Sequence, residues 1–138
     1  MGFTGKTGLG VLIMDHRIWY HWGMPTVRII PRIRVVYGRD VALGPGKAEL
    51  LEHIAQTGSL RKAAAAMEMS YMRAWTLVQT MNRCFKKPVV VTTRGGAAGG
   101  SALVTETGRR VLDLYRHMEA RGLRGMKPAQ RQFAKLLR

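Results

Sequence analysis

The stretch Gly58-Ser59-Leu60-Arg61-Lys62-Ala63-Ala64-Ala65-Ala66-Met67-Glu68-Met69-Ser70-Tyr71-Met72-Arg73-Ala74-Trp75-Thr76 decides the fold. Gly58 is placed to end a preceding helix, because a helix C-terminus favours a residue that accepts a left-handed backbone. Ser59 follows as a good N-cap, its hydroxyl able to accept a hydrogen bond from a free amide of the next turn. Leu60, Ala63, Ala64 and Met67 then recur at helical spacing and predict a short helix over 60–67, whose alanines permit close approach of a neighbour. Glu68 and Met69 read as a turn, and Ser70 as the cap of a third helix running to about Phe85. Along it Ala74, Val78, Met81 and Phe85 supply one apolar face. Two short helices meeting at a tight turn, the second polar on one side, are the expectation that organises the rest of the chain.

Working upstream, Lys47 to Gln56 carries Ala48, Leu51, Ile54 and Ala55 at helical spacing and predicts the first helix. Leu43-Gly44-Pro45-Gly46 before it reads as a turn. Thr26 to Tyr37 is rich in Val and Ile with Arg28, Arg32 and Arg34 interleaved, which predicts one or two strands broken at Pro31. Residues 1–23 look foreign to this pattern: glycines punctuate the start, Trp19, Tyr20 and Trp22 clump, and Met24-Pro25 then opens the regular part. They are expected to be a leader, either flexible or an alternative-start extension.

Working downstream, Pro88 closes the third helix. Val89 to Thr93 and Ala102 to Val104 read as two strands joined by the glycine-rich tip Gly95 to Gly100. Thr105 is placed to cap a fourth helix with Val111, Leu112, Leu114, Tyr115 and Met118 as its apolar positions. From Arg121 to Arg138 there are six cations and no acidic residue, which reads as a basic C-terminal tail. The expected fold class is mainly α with a small β component: a winged helix-turn-helix domain over 24–120, followed by the tail at 121–138.

Charge narrows the function. The chain has 138 residues, enough for one ordinary domain plus tails, and its 46% hydrophobic content supports a real core. Its 23 Lys and Arg against 8 Asp and Glu give a formal net charge of +15. A field of that sign attracts polyanions, nucleic acid first. The single Cys84 rules out an internal disulfide framework and suits a reducing compartment. No apolar run approaches the roughly 20 residues needed to span a bilayer, so a cytoplasmic protein with no membrane partner is expected.

The expected partner is double-stranded DNA, with the third helix in a major groove. Its free face carries Tyr71, Met72, Arg73, Trp75, Thr76 and Gln79. Arg73 is the candidate base reader, since a guanidinium can bridge O6 and N7 of guanine. Ser70 and Thr76 suit phosphate contacts beside the free amides of the helix start, and Ser59 is grouped with them. Arg83, Lys86 and Lys87 are candidates for neutralising the DNA backbone, and Arg94 for reaching phosphate or the minor groove. Three side chains keep a second reading: Trp75 as core, wedged against the hairpin or the first strand, and Tyr71 with Met72 as cover for the helix start.

Several other chemistries fail on spacing. Gly44-Pro45-Gly46-Lys47 lacks the Ser or Thr that would follow the lysine of a phosphate-binding loop, and Val41 stands where its first glycine belongs. His16, His21, His53, His117 and Cys84 are too scattered for a metal site. No carboxylate pair or nucleophile triad is evident. No cofactor and no enzymatic activity are expected.

The residues 58–64 and 70–75 quoted above, with Met81-Asn82, the glycine-rich tip and Leu103-Val104-Thr105 before Gly108, resemble the amino-terminal DNA-binding domain of ModE-type molybdate-responsive regulators. They are similar, more distantly, to the DNA-binding domains of LysR-type regulators. The resemblance covers roughly 46–120. It implies a DNA-binding homodimer through the first and fourth helices, a palindromic operator, and Tyr71, Arg73 and Trp75 as recognition-helix positions. Full-length members carry carboxy-terminal molybdate-binding modules, for which no length remains after the tail. A regulator lacking that domain, alone or served by a separate sensor protein, is the resulting expectation; the alternative is a non-specific nucleoid-associated or architectural DNA-binding protein, motivated by the six cations of the basic tail.

Overall fold

A computed structural model describes residues 26–95 and 100–138. The predicted leader and Gly96 to Gly99 of the hairpin tip lie outside the described residues. The architecture is mainly α with a small β component, in the order β1 (Val35–Tyr37), β2 (Asp40–Leu43), α1 (Pro45–Thr57), α2 (Leu60–Ala66), α3 (Tyr71–Cys84), β3 (Val90–Thr93), β4 (Ser101–Val104) and α4 (Glu106–Leu136). β1 and β2 form one antiparallel hairpin, and β3 and β4 a second, with Val90 opposite Val104 and Thr93 opposite Ser101.

The three capping expectations hold. Ser59 Oγ accepts from Lys62 N at 3.2 Å, Ser70 Oγ from Arg73 N at 3.1 Å, and Thr105 Oγ1 from Gly108 N at 3.0 Å. Gly58 ends α1 in the left-handed conformation, φ 65°. The turn between α2 and α3 is closed by a doubly bonded C-cap. Met69 N donates to Ala64 O at 3.0 Å and Glu68 N to Ala65 O at 3.1 Å, while Glu68 itself adopts φ 54°. That pattern satisfies the last carbonyls of α2 and turns the chain sharply into α3.

The core is built where these elements meet. Ala48, Leu50, Leu51 and Ile54 of α1, Ala63 and Ala64 of α2, and Ala74, Val78 and Met81 of α3 are buried together with Val89, Val90, Ala102 and Val104 of the second hairpin. α1 packs on α2, α2 on α3, and α4 on α1 and β4. Each fully buried Leu or Ile contributes about 1.5–3 kcal/mol from area removed from water.

Five local expectations are corrected. α1 begins at Pro45 rather than after a turn through Gly46; Gly44 is its N-cap, and Pro fits the first helical turn, where a missing amide is harmless. The 26–37 segment is extended and unpaired until Val35, and its strand partner is β2, which the turn reading had hidden. Leu50 is buried where Ala55 was expected. Leu114 is 72% exposed, whereas its neighbour Tyr115 is only 1% exposed. Beyond Ala120 the basic segment continues α4 as helix to Leu136, through Gly122, Gly125 and Pro128.

Candidate nucleic-acid interface

α3 is held by one buried stripe, Ala74, Val78 and Met81. At 3.6 residues per turn, Met72, Thr76, Gln79 and Arg83 lie on the opposite side of the helix. Tyr71 and Trp75 flank that row on the edge shared with Asn82, and Arg73 and Thr80 flank it on the other. Met72 is 63% exposed and Trp75 40% exposed, and neither belongs to the core cluster. Trp75 is thus a surface side chain, and its core reading gives way. Tyr71, Arg73 and Thr76 are exposed with it.

The hydroxyls are more constrained than the sequence suggests. Thr76 Oγ1 donates its proton to Met72 O at 2.9 Å, and Thr80 Oγ1 donates to Thr76 O at 3.0 Å. Thr76 therefore presents lone pairs outward, which suits a base amino group better than a phosphate. Ser70 and Ser59 each use oxygen lone pairs on a cap and keep the O–H to donate. Arg83 reaches back to β2, its Nη2 lying 3.3 Å from Asp40 Oδ2, so part of its charge is already answered. Lys86 and Lys87 in the loop after α3, and Arg94 beyond β3, are exposed. Ser59 stands one helix upstream, at the start of α2, and is half-buried.

The second hairpin is fastened to α3 by a residue that spacing alone did not single out. Asn82 Oδ1 accepts from Val89 N at 2.9 Å and from Val90 N at 3.2 Å, while Nδ2 donates to Val90 O at 2.9 Å. An asparagine in a helix interior competes with the backbone and is disfavoured there, which was its available signal. The other side of the hairpin root is fixed by Thr105, whose Oγ1 donates to Pro88 O at 2.6 Å and whose N donates to Val89 O at 3.0 Å. Gly108 sits so close to Val89 that an added Cβ would run into the Val89 carbonyl oxygen. Ala102 N donates to Gly58 O at 2.9 Å and ties β4 to the end of α1.

Charge is segregated around this frame. From Met69 to Thr105 the chain has five cations, Arg73, Arg83, Lys86, Lys87 and Arg94, and no acidic residue. Acidic groups instead concentrate on α1 and α4. Arg116 of α4 donates to both carboxylate oxygens of Glu52 on α1, at 2.7 and 2.9 Å, and to Glu119 at 2.6 Å. The bond to Glu52 does most to hold the Arg116 guanidinium protonated well above its ordinary range, against the opposing effect of burial. Lys47 is buried and donates to the Val41 carbonyl, so its ammonium points into the protein and not toward a phosphate. Burial pushes its pKa down. Among the described residues no group of three or more His, Cys, Asp and Glu could hold a metal ion, and no helix is long and apolar enough to cross a membrane.

The frame defines a class: two helices at a tight turn, the second with an exposed polar and aromatic face, followed by a hairpin pinned to it. Known proteins similar to the chain are named for molybdenum or for transcriptional regulation. It is 35% identical to the molybdenum transport protein ModE of Azotobacter vinelandii over 96 residues, 70% of this chain and 36% of that protein. It is 40% identical over 78 residues to the molybdenum-pterin-binding protein MopB of Rhodobacter capsulatus, 56% of this chain and 29% of that one. It is 37% identical over 71 residues to the DNA-binding transcriptional dual regulator ModE of Escherichia coli K12, 51% of this chain and 27% of that one. The chain thus spans about a third of the length of these curated relatives. No protein-family model matches it.

Proposed function

We propose that the chain is a sequence-specific DNA-binding transcriptional regulator of the ModE kind, with α3 as the recognition helix of a winged helix-turn-helix and the β3–β4 hairpin as its wing. The observation that carries this reading is the exposed face of α3, Met72, Thr76 and Gln79 flanked by Trp75 and Arg73, set in a 37-residue stretch without an acidic side chain. A major groove about 12 Å wide admits such a helix. Arg73 reads a base, Tyr71, Met72 and Trp75 make apolar contacts, and Ser70, Ser59, Lys86, Lys87 and Arg94 answer phosphates. Thr76 accepts from a base amino group, and Arg83 contributes backbone neutralisation once released from Asp40.

The protein works in the cytoplasm as a two-fold homodimer on a palindromic site. Within the chain, α1 turns its apolar side into the core, while α4 leaves Leu114 exposed beside the half-buried Val111. Those two positions on α4 support a partner copy there, with the polar edge of α1 beside it. The names of the similar proteins make molybdate the first effector to test. The domain described here supplies DNA recognition, and the effector is read by a separate module or sensor protein.

Selection from a pool of random-sequence duplexes tests the reading. A single palindromic consensus with half-sites about one helical turn apart is expected. A pool that stays random through successive rounds would overturn it.

A further inference from the structure

The far half of α4 carries a surface that the recognition helix does not use. α4 rests on the core as far as Met118, and its carboxy-terminal half then runs on beside the segment 26–34. Tyr115 Oη donates to Ile33 O at 2.7 Å and Gln130 Nε2 to Val27 O at 2.6 Å, so the segment lies antiparallel along the helix. Gly122, Met126 and Gln130, spaced by four, are the half-buried positions on that side. By helical rotation Arg121, Arg124 and Lys135 fall on the opposite side, while Lys127 and Arg131 flank it and line a cavity with Thr26 and Val27, and all five are exposed.

The row has no acidic neighbour along the helix. After Glu119 there is no acidic residue to the end of the chain, so no cation in the row has a carboxylate three or four residues further along the helix. Like charges at that spacing destabilise a helix. Two glycines and Pro128 make the same segment a poor helix former on its own. A polyanion laid along the row relieves the repulsion and stabilises the helix. The row spans 15 residues, about 21 Å of helix from first to last, and a DNA duplex offers one phosphate charge per about 1.7 Å of its axis. The 26–34 segment covers part of the face across from the row, where Leu123, Phe133 and Leu137 stay exposed, so the vesicle arm of the test below separates a lipid surface from DNA.

We propose that the row Arg121, Arg124, Lys127, Arg131 and Lys135 is a second, sequence-independent contact with the phosphate backbone of duplex DNA, outside the stretch reached by α3. α4 packs on α1 and β4, which sets the row apart from the α3 face and lengthens the footprint beyond the recognised bases. The inference rests on the DNA-binding reading only for that lengthening; the row's own affinity does not depend on α3.

The test uses the whole chain and random-sequence duplexes of about 40 base pairs, read by fluorescence anisotropy across a salt series. Arg124→Gln, Lys127→Gln and Arg131→Gln are combined in one variant. A control removes the same charge elsewhere, through Arg39→Gln, Arg109→Gln and Arg110→Gln. The row variant should lower the slope of log affinity against log salt by roughly three units, and the control by less than about one. Arg124→Lys with Arg131→Lys should keep the wild-type slope, and circular dichroism should show the same helicity in every variant. Equal slopes in the row variant and the control would overturn the proposal, since only net charge would then matter. So would an unchanged DNA slope with lost binding to phosphatidylserine vesicles, which would make the row a lipid contact. Failure of α3 is separable: Arg73→Ala would then leave selected-site preference intact while the row variant still flattens the slope.

Discussion

α3 and the far half of α4 are both exposed cationic helices, yet they are held in different ways. α3 is fixed by a buried stripe of its own, by a cap at Ser70 and by three hydrogen bonds from Asn82 to the hairpin root. The far half of α4 is accompanied by an extended segment, joined to it by hydrogen bonds from Tyr115 and Gln130. Reading a base edge requires a side chain placed to hydrogen-bond accuracy, which only the first arrangement supports. Neutralising phosphates requires charge density and little else. Under the proposed function, discrimination would fall to α3 and long-range attraction to α4.

The strongest way to break the contrast is to loosen the frame of α3. Gly108→Ala would drive a methyl group into the Val89 carbonyl, where neither backbone can yield cheaply. A loss of about 3 kcal/mol in urea denaturation is expected, in the upper range for overpacking. Asn82→Ala comes next. It removes three hydrogen bonds and leaves the Val89 and Val90 amides without their side-chain partner, at about 2 kcal/mol. Hydrogen exchange at those two amides should rise more than at the α1 amides. Equal protection in the variant would mean that the hairpin is held by β-pairing alone.

Arg73→Ala sharpens the contrast instead. It should weaken binding to a selected site by roughly 1–3 kcal/mol and leave random duplexes almost unaffected. Equal loss on both would make Arg73 a phosphate contact and move it to the category of α4. The smallest effect is expected from Tyr115→Phe, which removes the bond to Ile33 O at about 1 kcal/mol. Tyr115 also gives a pH signature. Burial raises its pKa above the ordinary value of 10.0, so the folded protein keeps the proton that the unfolded chain gives up. Its contribution is complete below pH 10 and declines as the pH rises above that value. Chemical denaturation near pH 11 should show this decline in the wild type and less of it in the phenylalanine variant.

How much of this was legible in the sequence follows from how local each signal is. Ser59, Ser70 and Thr105 cap the helices they were expected to cap, because an N-cap is settled within three residues. Gly58 ends α1 for the same reason. The free face of α3 was legible because burial at Ala74, Val78 and Met81 repeats with the helical period. What depended on distant partners was not. Gly122, Gly125 and Pro128 argue locally against helix, and the helix there runs beside residues 26–34, about 100 positions away in sequence. β2 was hidden because Asp40–Leu43 runs straight into Gly44 and Pro45, which read as a turn until Gly44 is seen as a cap. Trp75 has no local signal that separates core from surface, and Asn82 gains its meaning only when Val89 and Val90 fold back onto it.

The most direct test of the central claim is a pair of labelled duplexes, one carrying a selected site and the other its scramble, titrated with the full chain across a salt series. A preference of about a thousandfold or more at physiological salt is predicted, with steep salt dependence on both duplexes. Equal affinity for the two would contradict it, and would leave α3 as one more cationic surface.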